Sequence, residues 1–231
     1  MNFLHLGACV GNLETDNEKV RCGFTEFIKR NYKINDNIFL VEANPRNINK
    51  LKICYKNYKN VKFFNIGISV EKKPKIDFYY TEDDAPSYMV CSTKIEHVIK
   101  HYPKSNIKKF TIENISIINF LEENFKNKRI DYLSIDLEGI DYDILMNIPL
   151  DKYEIENISI EFIHLKKNQI KKMIRYMYDK KYSYCGFGYD HNNFDFLFRK
   201  KTIWSNIFLS KILWLIGKKH LKYFNKMIFK E

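Results

Sequence analysis

Four acidic side chains and one histidine stand at the ends of apolar runs, where the strands of an α/β domain would end. They are Glu42, Asp136, Glu138, Glu161 and His164. Because ligands of an open parallel sheet bind at the carboxyl ends of its strands, we expect these side chains to surround one cleft. A carboxylate or an imidazole can take a proton from a hydroxyl group, and carboxylates can instead hold Mg²⁺. The pattern therefore predicts proton transfer or metal-assisted chemistry.

A glycine-containing turn follows the first apolar run, beginning with Gly7 and ending with Gly11. Glycines let a backbone turn tightly and approach a ligand closely. Glu42 ends the next apolar run and is placed to accept hydrogen bonds from the two hydroxyls of a ribose. Such a carboxylate serves any adenosine-bearing cofactor. The turn lacks the middle glycine that makes room for a pyrophosphate, which argues against a dinucleotide.

The apolar patterns predict an α/β chain that starts as β-α-β-α-β. Strands are expected at 2–6, 38–41, 61–66, 75–80, 130–135, 158–163, 182–187 and 194–198. Buried stripes with helical spacing separate most of them, and Asn44-Pro45 and Ser116 are typical starts of helices. Continuous apolar strands are typical of a parallel sheet covered on both faces, and the last two strands are predicted to be antiparallel. The polar loop 82–87 is interpreted either as a cover over a substrate or as an ordinary surface loop.

The order of these motifs resembles that of the FkbM-like methyltransferases, a branch of the class I S-adenosylmethionine-dependent fold. The family's D-[IVL]-G-A-N-x-G turn is similar to residues 5–11, and its E-x-N-P element is found at 42–45. Its small-residue turn is similar to 65–69, and its K-[IVL]-D-[VIT]-E-G element is similar to 134–139. Its strand with Glu before a nearby His is similar to 160–164. The resemblance extends over roughly 3–199. His5 and Cys9 stand where the family has Asp and Asn. An inactive relative therefore remains an alternative.

This resemblance implies a Rossmann-like class I methyltransferase fold in a domain at 1–200. Its mostly parallel seven-stranded sheet would have an antiparallel C-terminal strand and helices on both faces. S-adenosylmethionine is the implied cofactor. The residues expected to bind it are His5, Gly7, Ala8, Cys9, Gly11, Glu42, Asn44, Ile68, Ser69 and Asp136. Glu138, Glu161 and His164 are expected to line the substrate pocket.

The reaction that the resemblance implies is methylation of a hydroxyl on a sugar, nucleotide sugar, glycan or other small molecule. Such a hydroxyl is a poor nucleophile and needs a base or a metal. The candidate catalytic residues are Asp136, His164 and Glu161. His164 or Asp136 would remove the proton, or Asp136 with Glu161 would hold Mg²⁺. The alternatives are that Asp136 or Glu138 caps the next helix, that His164 is a surface histidine, and that the protein is an inactive scaffold of the same fold.

Positive charge is concentrated near the end of the sequence. The net charge is +11, and residues 199–231 contain nine Lys or Arg and one acidic residue, so the rest is nearly balanced. A nucleic-acid enzyme would more often spread basic residues over a binding face, so we predict no nucleic-acid partner. We predict a basic amphipathic helical tail at 201–231. Through 203–231 it would contact a membrane or a partner protein, or else pack on the domain.

The cysteines bear on the compartment of the protein. There are five, none of them in a CxxC pair, which is typical of reduced thiols in a cytoplasmic protein. No stretch reaches the ~18 apolar residues of a membrane span. We therefore expect a cytoplasmic location, with peripheral contact at the inner face of the membrane if the tail binds lipid.

Overall fold

The computed structural model describes residues 1–13, 22–189 and 193–201 of the 231-residue chain. The strands are β1 (Asn2–Leu6), β2 (Asn37–Val41), β3 (Val61–Phe64), β4 (Gly67–Ser69), β5 (Lys75–Thr81), β6 (Ile107–Ser116), β7 (Tyr132–Ile135), β8 (Asn157–Glu161), β9 (Tyr182–Phe187) and β10 (Asp195–Lys200). The helices are α1 (Gly23–Asn31), α2 (Pro45–Cys54), α3 (Ile95–His101), α4 (Ile117–Phe125), α5 (Asp141–Asn147) and α6 (Lys167–Asp179).

The main sheet has seven strands in the order β3-β2-β1-β7-β8-β10-β9. All neighbours are parallel except β10, which runs antiparallel to both β8 and β9. The predicted mostly parallel sheet with an antiparallel strand near its C-terminal edge is thereby confirmed. The strand order reverses between β1 and β7, and this is the switch point at which open α/β sheets bind their ligands.

Helices cover both faces of the main sheet, as its continuous apolar strands predict. Successive side chains of a strand point to opposite faces. Phe3 of β1 therefore packs in a core with Phe27 of α1 and Leu51 of α2. Leu4 and Leu6 belong to the other core, which α4, α5 and α6 complete. Because β1 is buried on both sides, the turn that follows it has a fixed position.

Two predicted helix starts are confirmed by capping hydrogen bonds. The Asn44 side chain accepts a hydrogen bond from the backbone N–H of Arg46 at 3.1 Å, and Pro45 is the first residue of α2. The Ser116 hydroxyl accepts one from the N–H of Asn119 at 3.3 Å at the start of α4. These bonds satisfy N–H groups that have no partner within the first helical turn, which fixes where both helices begin.

A smaller sheet, in the order β4-β6-β5, adjoins the main one. The expected strand β5 pairs with β6 in antiparallel register, but the connection contains α3 and is not a tight hairpin turn. Neither β6 nor α3 is predicted from the sequence. The predicted strand at 61–66 is shorter in the structure, since β3 ends at Phe64 and β4 joins the smaller sheet.

The predicted tail at 201–231 lies outside the described residues, apart from Lys201. Its helical character and its membrane or protein contacts therefore stay predictions. Across the three described ranges, the helices are all too short or too polar to cross a membrane.

Candidate active site

The turn after β1 passes against the end of β7. Gly7 has a φ of +85°, and a Cβ atom at this position would lie 1.6 Å from the carbonyl oxygen of Asp136. The N–H groups of Gly7 and Ala8 donate to the carbonyl of Val41 at 3.0 and 2.9 Å. The turn is thus hydrogen-bonded to the end of β2 and packed against the end of β7. Residue 7 has to be glycine because a side chain would collide with the Asp136 carbonyl.

Glu42 holds this turn from the end of β2. One carboxylate oxygen accepts a hydrogen bond from the N–H of Cys9, and the other accepts one from the N–H of Asn44, each at 2.7 Å. The side chain is buried, and burial raises the pKa of the Glu42 carboxyl to about 7. The Asn47 side chain also donates a hydrogen bond to this carboxylate. A carboxylate has about four acceptor sites, so Glu42 can still accept a hydrogen bond from a ligand hydroxyl.

His5 lies on β1 directly beneath the turn. It is buried and stacks on Phe24, with ring centroids 4.6 Å apart. Burial lowers the pKa of His5 to about 3, so the imidazole is neutral at pH 7. Among the described residues, its buried Nδ1 atom has no hydrogen-bond partner. A buried polar atom without a partner is costly, which suits a site that a polar ligand completes.

A cleft of about 260 Å³ lies at the carboxyl ends of β1, β2, β7 and β8. It brings together nine of the predicted site residues: His5, Gly7, Cys9, Glu42, Ile68, Asp136, Glu138, Glu161 and His164. Side chains predicted from five separate parts of the sequence therefore meet at one place, as expected for the switch point of an open sheet.

The other four predicted residues, Ala8, Gly11, Asn44 and Ser69, do not line the cleft and have structural contacts instead. Ala8 is buried in the core, and Gly11 lies against Cys54. The Asn44 side chain caps α2, and the Ser69 hydroxyl donates to a backbone carbonyl at 2.9 Å.

The segment that follows β5 forms one wall of the cleft, through residues 88–91. The Cys9 thiol donates to the carbonyl of Ser87 at 3.3 Å, and the Lys50 ammonium donates to the carbonyl of Pro86 at 2.9 Å. These contacts fasten the predicted polar loop 82–87 to the turn after β1 and to α2. The loop itself does not line the cleft, but these contacts hold the adjoining residues 88–91 in its wall. The role of the loop as a cover over a substrate stays a prediction.

Asp136 and Glu161 lie side by side at the ends of the paired strands β7 and β8. One carboxylate oxygen from each of Asp136, Asp141 and Glu161 lies within 4.8 Å of those of the other two, so the three could also hold a cation. Burial raises the pKa of Asp136 well above its usual value, and the charges of Glu161 and Glu138 raise it further. Since buried like charges resist joint ionisation, the pair keeps a proton at pH values where an exposed carboxyl group has lost it.

Asp141 holds the sharp turn after β7. It accepts hydrogen bonds from two backbone N–H groups of the turn, including that of Gly139 at 3.1 Å. Glu138 and Gly139 have φ angles of +47° and +99°. The helix α5 then starts after Ile140, without a side-chain cap. The alternative in which Asp136 or Glu138 caps this helix is therefore wrong.

His164 contacts two carboxylates. Its Nε2 lies 3.5 Å from Oε2 of Glu161 and 3.7 Å from Oε2 of Glu138. Burial, and then the neighbouring His97 and His101, lower the pKa of His164 to about 4, so its imidazole is neutral at pH 7. The side chain is only 10% exposed, which contradicts its interpretation as a surface histidine.

Two further histidines lie beside His164 and are missed by the sequence analysis. His97 and His101 lie four residues apart on α3, so they share one face of that helix. Nε2 of His97 lies 2.7 Å from Oε2 of Glu138, and the rings of His97 and His164 are 4.5 Å apart. The sequence does contain a signal for this pair, the H-x-x-x-H spacing, which is typical of two metal ligands on one face of a helix.

The site residues fit the cofactor that the resemblance implies. Glu42 offers acceptors for a ribose, and the buried Nδ1 of His5 offers one more for a polar group. The missing side chain at Gly7 leaves the backbone open to close approach. The apolar side chain of Ile68 lines the same cleft, where a base could pack.

The strand order, the cleft at its switch point and the carboxylate at the end of β2 define a Rossmann-like domain of the methyltransferase class. The sequence model of the methyltransferase FkbM domain matches residues 5–189, and the chain belongs to this family. The resemblance found in the sequence is thereby confirmed.

One similar solved structure is that of the Methanococcus jannaschii fibrillarin pre-rRNA processing protein, with 10% sequence identity and a TM-score of 0.42. The similarity covers 86% of this chain and 66% of the fibrillarin chain, which is just under two thirds of that chain's length. No curated protein sequence matches this chain significantly.

Proposed function

We propose that this protein transfers a methyl group from S-adenosylmethionine to a hydroxyl group of a sugar or a similar small molecule. The observation that carries the proposal is a single cleft with two unlike ends. The end at Gly7 and Glu42 suits an adenosine cofactor, and the end at Asp136 and Glu161 suits removal of a proton. Membership in the family supports the methyl donor.

The residues beneath and beside the first turn would hold the cofactor. Glu42 would accept a hydrogen bond from the ribose through the acceptor site that Cys9, Asn44 and Asn47 leave unused. The neutral His5 would offer Nδ1 to the ammonium group of the methionine part. When bound, S-adenosylmethionine supplies an electrophilic methyl group on a positively charged sulfur.

The acceptor hydroxyl has to lose its proton as its oxygen bonds to the methyl carbon. A general base works best when its pKa lies near the operating pH. The pKa of His164 is lowered to about 4, which makes it a weak base, whereas the pKa of Asp136 is raised. We therefore assign proton removal to the Asp136–Glu161 pair, which would accept the hydroxyl proton as a unit.

The charge of the cleft favours an acceptor without phosphate groups. Among the described residues that line it there is no lysine or arginine, while Asp136, Glu138 and Glu161 are all present. A phosphate near these carboxylates would meet repulsion without a cationic partner. When no cation is bound, the side chains of the cleft thus favour neutral sugars and glycans over nucleotide sugars among the proposed acceptors.

The proposal is tested by following transfer of a labelled methyl group to free sugars, neutral glycosides and nucleotide sugars. We expect methylation of a neutral acceptor by the wild-type protein. Preferential methylation of nucleotide sugars by protein freed of metal with a chelator would overturn the acceptor assignment. Binding of S-adenosylmethionine without transfer to any hydroxyl compound would favour the inactive scaffold that His5 and Cys9 suggest.

A further inference from the structure

We propose that the imidazoles of His97, His101 and His164, oriented by the Glu138 carboxylate, bind one divalent transition-metal ion at the acceptor end of the cleft. One ring nitrogen from each of the three histidines lies within 4.8 Å of the other two. Histidine nitrogens bound to zinc lie about 2.0–2.1 Å from the ion. The three nitrogens here are close enough together that small side-chain movements would bring all of them to that distance from one ion.

Two parts of the chain that are distant in sequence supply these imidazoles. His97 and His101 project from one face of α3, and His164 follows β8. The ring centroids are 4.5 Å apart for His97 and His164, 5.0 Å for His97 and His101, and 5.4 Å for His101 and His164. Two rings from one helix turn and a third from across the cleft therefore converge on one point.

Glu138 supplies an independent indication of a metal site. Its Oε2 lies 2.7 Å from Nε2 of His97 and 3.7 Å from Nε2 of His164. Histidines that bind metals are commonly oriented by a carboxylate, and this partner is a regular feature of such sites. Glu138 is held in a left-handed conformation, with φ of +47°, and its carbonyl accepts a hydrogen bond from the Ser92 hydroxyl at 2.7 Å. The backbone conformation of Glu138 and the hydrogen bond from Ser92 thus fix the position of its carboxylate.

The donor set indicates which ion would bind. Imidazole nitrogens suit Zn²⁺, Fe²⁺, Co²⁺ and Ni²⁺, whereas Mg²⁺ takes oxygen ligands and keeps several waters. Three histidine ligands therefore select a transition metal. This site differs from the magnesium site considered at Asp136 and Glu161, although it lies beside it.

The role of this ion in the reaction rests on the proposed function. A divalent metal beside Asp136 and Glu161 would bind the acceptor hydroxyl and lower its pKa. The proton would then pass more readily to the carboxylate pair. Metal binding itself does not depend on methyl transfer and can be measured separately.

The test uses untagged full-length protein, freed of metal with a chelator and titrated calorimetrically with Zn²⁺, Co²⁺ and Mg²⁺. We expect one Zn²⁺ or Co²⁺ per chain, a Co²⁺ absorption spectrum typical of nitrogen ligands, and much weaker binding of Mg²⁺. His101→Ala should abolish the Co²⁺ spectrum. Glu138→Gln should lower the affinity about 10- to 100-fold, as removal of a partner that orients a ligand does.

Glu96→Ala is the control, because it also removes a possible metal ligand from α3, but Glu96 is exposed and does not belong to the group formed by the three histidines. His101 is exposed, so His101→Ala should leave the thermal unfolding midpoint nearly unchanged. Absence of stoichiometric Zn²⁺ and Co²⁺ binding, or equal affinity in wild type and His101→Ala, would overturn the metal site. A parallel titration with S-adenosylmethionine separates the two proposals, since failure to bind it would reject the proposed function alone.

Discussion

The Glu42 carboxylate accepts a hydrogen bond from the backbone N–H of Cys9 at 2.7 Å, although the two residues lie 33 positions apart in the sequence. This bond joins the end of β2 to the turn after β1. The same carboxylate thus shapes the turn and, in the proposed function, binds the ribose of the cofactor. A change in the protonation state of Glu42 is therefore expected to affect both the shape of the turn and the binding of the cofactor.

The affinity for S-adenosylmethionine should fall below neutral pH. Ribose hydroxyls donate hydrogen bonds, so they favour the ionised form of Glu42, whose pKa burial raises to about 7 in the free protein. Affinity should be full above this pKa and drop about tenfold by pH 6. Calorimetric titrations from pH 6 to pH 8.5 measure this, and a flat profile would refute the role of Glu42.

Gly7→Ala should destabilise the fold severely. The new Cβ would meet the Asp136 carbonyl oxygen, and the φ of +85° is strained for alanine. Gly186→Ala is the matched control, because Gly186 also has a positive φ, +111°, but no atom of the described part of the chain lies within 4 Å of the added atom. Urea unfolding should show a loss of about 1–3 kcal/mol for the control and more for Gly7→Ala. Equal losses would show that the turn can move away from β7.

Glu161→Gln should slow methyl transfer about 10²- to 10⁴-fold in kcat. The amide keeps the shape of the side chain but cannot accept the proton, so the KM for S-adenosylmethionine should change little. Glu113→Gln serves as the control, because Glu113 is an exposed residue of the smaller sheet. If Glu161→Gln retains full kcat, the carboxylate pair is not the base.

The pH dependence of kcat provides a separate check on the base. The pKa of Asp136 is raised, and it shares the site with Glu161, so the pair should lose its proton at higher pH than an exposed carboxyl group. The rate should therefore rise with pH through an apparent pKa above ~4. A rate that is already maximal at pH 5 would contradict this assignment.

Much of the fold follows from the sequence because its strands are buried on both faces. Runs such as Asn2–Leu6 and Asn37–Val41 are largely apolar, and the Asn44-Pro45 start of α2 has a clear capping pattern. The smaller sheet has no such signal. Its strand β6 is largely half-buried or exposed, and the two lysines that follow Ile107 interrupt its alternation.

The candidate site is only partly visible in the sequence. Strand-end carboxylates indicate Glu42, Asp136 and Glu161, since parallel strands end at one edge. Hydrophobic periodicity could not find His97, because α3 has seven residues and buries only this histidine and Val98. Nor could the sequence show that Asp141, rather than Asp136 or Glu138, holds the turn after β7. That distinction depends on backbone geometry that three closely spaced carboxylates do not specify.

The most direct test of the account is a calorimetric titration of the protein with S-adenosylmethionine, beside NAD and beside the variants Glu42→Ala and Glu71→Ala. Glu71 is exposed and serves as the control. The account predicts that S-adenosylmethionine binds, that NAD does not, and that only Glu42→Ala weakens binding. The loss of hydrogen bonds to a charged group costs about 1.5–3 kcal/mol, or roughly 10- to 150-fold in affinity. Tighter binding of NAD, or unchanged affinity in Glu42→Ala, would contradict the account.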